Sequence, residues 1–227
     1  MKPIRRITIE KEFAARNPGY RAMLFEAKVK NSPTSDALKT ELDSFAQEIK
    51  GKYRLEEIKN YPPVSATRQA YKNCGKDPNR YRPSQEQMMR RIVKGLGLYN
   101  VSSLVDAGNL FSLKTGCSVG CFDADKIEGA TLSLGIGRDE EPYEGIGRGP
   151  LNISGLPVFR DRRGGIGTPT SDNERTKLSL QTTNLLVTVH IFDPKINIEE
   201  ITKLFKSIFS RHGDATEIKH ELYRGNF

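Results

Sequence analysis

The run S-S-L-V-D-A-G-N-L-F-S-L-K-T-G-C-S-V-G-C-F-D-A-D-K-I-E-G, residues 102–129, holds the densest set of structural signals in the chain. Ser102 stands where an N-cap belongs, and Leu104, Val105, Phe111 and Leu113 give the helix after it an apolar face. Asp106 and Asn109, three apart, fall on a second face, where they are expected to brace neighbouring loops by hydrogen bonds. Gly116 stops the helix. Val119, Cys121 and Phe122 then read as a short strand, and D-A-D-K at 123–126 as a turn.

Towards the N-terminus, Ile7 with Ile9 and residues 22–29 read as two strands around the N-P-G turn at 17–19. A helix follows, with Leu38, Leu42, Phe45, Ala46 and Ile49 on one stripe, Ser35 as its cap and Gly51 as its stop. Pro62 and Pro63 close the next short segment. Ser84 and Gln87 have capping-box spacing for a helix carrying Met88, Met89, Ile92, Val93 and Leu96.

Towards the C-terminus, residues 131–136, 156–161 and 185–192 read as strands, with Val187 and Val189 on one face and Thr188 and His190 on the other. Residues 142–149 form a turn region. Asn197 caps a helix with the stripe Ile198, Ile201, Leu204, Phe205, Ile208 and Phe209, stopped at Gly213, and 216–223 is a last strand. Helices gather in the first half and strands in the second without βαβ alternation. That pattern predicts an α+β fold, helices packed on a mostly antiparallel sheet, in one domain over 1–227.

Composition narrows function. The 36 Lys and Arg against 28 Asp and Glu give a net charge of +8, the footprint of a phosphate-bearing partner. No run of about 18 apolar residues predicts a membrane span, and the first six residues lead into no signal-peptide core. A cytoplasmic protein is expected. Cys74, Cys117 and Cys121 are odd in number, and the histidines lie far from them in sequence. Reduced thiols, no metal and no cofactor are the expectation.

The most polar run is R-Q-A-Y-K-N-C-G-K-D-P-N-R-Y-R-P-S-Q-E, residues 68–86. Arg68, Tyr71, Lys76, Arg80, Tyr81 and Arg82 interleave cations with aromatics, which suits RNA, because guanidinium forks grip phosphate and rings accept bases. The alternative is a surface turn whose arginines pair with Asp77 and Glu86. Further on, residues 162–176 carry Gly164, Gly165 and Gly167, whose backbone N–H groups could approach an anion or carbonyl, with Ser171 beside them. Their spacing matches no nucleotide-binding fingerprint.

From about residue 83 to 194 the chain resembles the editing domain of the phenylalanyl-tRNA synthetase beta subunit, its tRNA-binding B-three/B-four domain. The resemblance rests on V-D-A-G-N (105–109), G-C-S-V-G-C-F-D-A-D-K-I-E-G (116–129), L-P-V-F-R-D (156–161), G-G-I-G (164–167), T-T-N-L-L-V (182–187) and F-D-P (192–194). The run at 68–86 resembles the free-standing form of that domain. The region 62–194 is thus the domain proper, with 1–61 and 195–227 as integral flanks. The resemblance implies tRNA as partner and hydrolysis of mischarged aminoacyl-tRNA in trans, since ligase motifs are absent. It places the acidic editing residue at Glu174, counting back from Asn184. The family's editing histidine would stand at Gly120, where this chain has no side chain. Water would then be placed by Asp172, Thr176 or a tRNA hydroxyl; otherwise the chain binds RNA without hydrolysis, or senses an amino acid in the old pocket. No oligomeric state follows from the sequence.

Overall fold

The computed structural model describes residues 5–225. Two four-stranded sheets carry the fold. The first has the order β10 (Thr216–Arg224), β2 (Arg21–Lys28), β9 (Asn184–Ile191), β3 (Ser118–Asp123), all antiparallel. The second runs β1 (Arg6–Ile9), β4 (Thr131–Ile136), β7 (Pro157–Arg160), β8 (Gly165–Gly167); its one parallel pair is β1 with β4. A small ribbon joins β5 (Glu144–Gly145) to β6 (Gly149–Pro150).

The alternation within β2 and β9 sorts the core into layers. Met23, Phe25, Val187 and Val189 point to one side, where they meet α2 (Asp36–Lys52), α5 (Ser103–Thr115) and α6 (Ile198–Gly213). Ala22, Leu24 and Leu186 point to the other, against Leu132, Leu134, Phe159 and Ile166 of the second sheet. The molecule is therefore helices on sheet on sheet, α+β with mainly antiparallel pairing. The central strands are covered on both faces, which is why β9 is buried at every position after Asn184, its polar Thr188 and His190 included.

Several local expectations change. The 17–19 turn is preceded by a short helix, α1 (Lys11–Arg16), and the strands it separates enter different sheets. Helix α2 runs through Gly51 to Lys52, with Ser35 accepting from the Leu38 N–H as its cap. Pro62 and Pro63 open α3 (Pro62–Asn73) rather than close a segment, because the first turn of a helix needs no donor there. Helix α4 (Ser84–Val93) has no capping box: Pro83 is at its N-cap, Gln87 reaches the Arg82 carbonyl at 2.6 Å, and Leu96 lies beyond its end. Asp214, in the left-handed conformation, follows Gly213 as the cap of α6.

The run 102–129 folds as helix, glycine, strand. Gly116 has φ +70°, and a Cβ there would meet Tyr61 and Pro63. Ser102 holds the N-cap position of α5 without a side-chain hydrogen bond. Asn31, just past β2, does that work instead: its Oδ1 accepts from the Leu104 N–H at 3.1 Å and from the Ser103 hydroxyl at 3.2 Å.

Candidate functional site

Gly120, Gly167 and residues 171–176 gather beside the last strands of the two sheets. Strand β3 closes the first sheet and β8 the second. The segment after β8, residues 168–176, folds back beside them. It is held by bridges from Gly167 to Asp172 and from Gly145 to Asn173, and by Tyr143, whose hydroxyl donates to the Ser171 carbonyl at 2.7 Å. Thr168 Oγ1 accepts from the Ser171 and Thr170 N–H groups.

Asp172 bridges the seam. Its Oδ2 accepts at 3.1 Å from the Cys121 N–H. That group would otherwise be unpaired, because β3 is an edge strand. Burial pushes the Asp172 carboxyl up to about 8, so it is mainly protonated at neutral pH. The residue is half-buried overall, while its carboxyl is closely surrounded by protein atoms. Burial likewise raises the Cys121 thiol far above its usual range, which leaves it inert.

At Gly120 the space for a side chain is already filled. A Cβ would lie 2.5 Å from the Phe122 ring and 3.0 Å from Thr188 Oγ1. The same ring would sit 2.6 Å from a Cβ on Gly167. Phe122 is fully buried and clamped between the two glycines, so this wall is apolar and closed. Gly164 and Gly165 instead line an open cavity of about 550 Å³ with Arg163, Arg175 and Glu144, although their own groups are engaged. The Gly164 N–H is held by Asp161 Oδ1 at 3.1 Å, and a side chain on Gly165 would strike Tyr143.

Glu174 opens a single 3₁₀ turn (Glu174–Thr176) at the surface and forms an ion pair with Lys177. Arg175 turns away to Asp161, at 2.8 Å. Thr176 is buried, its hydroxyl directed at the carbonyls of Ile166 and Asn173. Asp106 accepts from the Val101 N–H and the Thr34 hydroxyl, bracing the loop before α5; Asn109 makes no side-chain hydrogen bond among the described residues.

The basic run splits in two. Arg68 turns inward to Glu86, at 2.9 Å, and to the Pro78 carbonyl and Asn79. Tyr71, expected to meet bases, is fully buried and shares a hydrogen bond with Thr170 Oγ1 at 2.8 Å. Lys76 is buried as well: it donates to the Asn152 and Ser154 carbonyls and lies 3.7 Å from the centre of the Tyr81 ring. The turn after α3 thus uses half its charged and aromatic groups to hold itself.

The other half faces outward. Arg80, Tyr81 and Arg82 line a cavity of about 380 Å³ together with Gln87, Arg148, Leu151 and Thr170. Among the described residues no acid lines it. Glu86, which pairs with Arg82 at 3.8 Å, is buried and shared with Arg68 and with Arg90 at 3.9 Å, so the surface keeps a positive excess. Arg148, which the sequence reading passed over, is fixed by a 2.6 Å hydrogen bond to Gln87. Its one local signal is G-R-G in the β5–β6 ribbon, an arginine displayed on a turn. A larger cavity, about 620 Å³, lies across the molecule, but Arg5, Glu26, Lys28, Asp125 and Glu217 give it both signs of charge.

An α+β domain of two packed sheets, with an arginine-lined cavity between the turn after α3, the start of α4 and the β5–β6 ribbon, is the class these features define. Residues 66–223 match the B3/4 domain family, well over half of the chain, and the chain belongs to that family. Among solved structures, it is similar to an N-terminal fragment of the phenylalanyl-tRNA synthetase beta subunit from Pyrococcus horikoshii. The identity is 9% and the TM-score 0.45, over 96% of this chain and 52% of the fragment, so the chain spans about half that fragment's length. No curated protein matches the sequence. Among the described residues no helix is long and apolar enough to cross a membrane, and no cluster of His, Cys, Asp and Glu could hold a metal.

Proposed function

We propose that this chain binds tRNA through Arg80, Arg82 and Arg148 and removes a wrong amino acid from it in trans by hydrolysing the aminoacyl ester. The observation that carries this is the cavity lined by three arginines and, among the described residues, no acid, whose Thr170 belongs to the segment bearing Asp172 and Glu174. Family membership supports it. Phosphates of the RNA would sit on the guanidiniums.

The chemistry asks little of the site, because the ester is already activated. Water adds to the ester carbonyl carbon, the tetrahedral oxyanion collapses, and the C–O bond to the ribose breaks. The freed ribose oxygen takes up one proton, and the water gives one up. In this reading Asp172, protonated near neutrality, supplies the first proton, and Glu174 positions the water once its pairing with Lys177 opens. The same reading places the chain in the cytoplasm.

A panel of mischarged tRNAs tests it. Ester loss above the spontaneous rate, suppressed by Asp172→Asn or Glu174→Ala, is the expected result; no loss with any member of the panel overturns hydrolysis. Binding without hydrolysis is the second reading, favoured by Phe122 filling the space beside Gly120 and by the Glu174–Lys177 pair. Either way, Arg80→Ala, Arg82→Ala and Arg148→Ala together should flatten the plot of log K against log salt by about 2. An unchanged slope removes this face from the interface.

A further inference from the structure

Helix α4 connects the arginine cavity to a second exposed feature. Gln87, in its first turn, holds Arg148 at the cavity. Arg91 and Lys94 follow Gln87 at helical spacing, over a length of about 10 Å, while Arg90 turns back to the Leu55 carbonyl. Beyond the helix, residues 95–101 form a loop that Arg91 ties down: its Nε donates to the Gly97 carbonyl at 3.2 Å and its Nη2 to that of Leu96 at 3.4 Å.

This fixed loop displays apolar groups to water. Leu96 is 61% exposed, Tyr99 69% and Val101 62%. The Arg91 guanidinium lies 4.2 Å from the centre of the Tyr99 ring. One face of the ring therefore meets a cation, while most of its surface stays open. An aromatic ring backed by arginine, at the end of a row of cations, is the arrangement that stacks bases while phosphates follow the charges.

We propose that Tyr99, backed by Arg91, is a stacking platform for an unpaired base of an RNA strand that runs along α4 from the Arg80–Arg82–Arg148 cavity. This rests on the RNA-binding reading above and extends it to a second contact for single-stranded RNA. Charge complementarity selects the occupant: Arg91 and Lys94, continuing from the arginines of the cavity, favour a polyanion over an apolar protein face.

A fluorescently labelled, unstructured RNA oligonucleotide, titrated by anisotropy against the whole chain, tests it. A duplex of equal length serves as the comparison. Tyr99→Ala should weaken single-strand binding about 5- to 100-fold, leave duplex binding nearly unchanged, and leave the melting temperature in place. Tyr99→Phe should retain binding. If Tyr99→Ala binds the single strand as the parent does while the triple arginine variant does not, the platform is overturned and the RNA reading stands. If the parent chain binds neither RNA, both fail. If the same substitution leaves RNA binding intact but abolishes self-association in sedimentation, the patch is a contact between copies and the platform is overturned.

Discussion

The two sheets differ in what they are made for. In β10-β2-β9-β3 every pairing is antiparallel, and the sheet is covered by helices on one side and by the second sheet on the other. In β1-β4-β7-β8 the strands are shorter, the pairing is mixed, and the last strand has three residues. The first is filled with Leu, Val and Phe; the second hands the chain to residues 168–176 and the cavity. Stability is concentrated in one sheet and polar chemistry at the rim of the other, with Asp172 and Phe122 at the seam. Three experiments probe that division.

The largest effect is expected from Arg68→Ala. Glu86 is 1% exposed, and losing its 2.9 Å partner leaves a buried carboxylate with only the longer contacts to Arg82 and Arg90. A loss of about 3 kcal/mol in urea unfolding is expected. If the cost is below about 0.5 kcal/mol, the turn at 74–83 does not depend on its inward half.

Gly120→Ala comes next. Its Cβ would meet a ring that cannot swing away, because Phe122 is also confined by Gly167. Overpacking of this kind costs about 1–3 kcal/mol. Adding Phe122→Leu should return part of it. Additive losses in the double variant would mean that the seam is looser than the packing implies.

The third experiment reads a pH slope. The Asp172 carboxyl titrates at about 8 in the folded chain, against an ordinary value near 4 unfolded. Between those values the folded state holds the extra proton, so this group makes stability fall as pH rises from about 4 to 8. The slope is at most about 1.4 kcal/mol per pH unit. Asp172→Asn should remove that part of the slope in denaturant melts from pH 5 to 8. Parallel curves for parent and variant would show that the carboxyl is not confined.

Much of the fold was legible in the sequence because it rests on periodicity and caps. Strand β4, the stripe of α6 and the Ser35 and Asn197 caps follow from spacing alone. The site was less legible, because sequence gives the residue type but not the face that meets water. Arg68, Tyr71 and Lys76 look as suited to RNA as Arg80, Tyr81 and Arg82 do, yet the first three are turned inward by Glu86, Thr170 and two carbonyls. Arg148 was missed because its partner Gln87 lies far away in the chain. The trans-acting cap of Asn31 on α5 escaped for the same reason.

The place of β2 has a consequence for how the molecule is made. This strand lies between β9 and β10, so an early segment waits for two late ones before its edges are satisfied. Strand β1 likewise waits for β4. During synthesis both segments leave the ribosome well before their partners exist, carrying Leu24 and Phe25 with nothing to cover them. Closure of the sheets is then a late event, slow because its contacts span most of the chain. Until that event, a nascent chain would be a natural client for a chaperone.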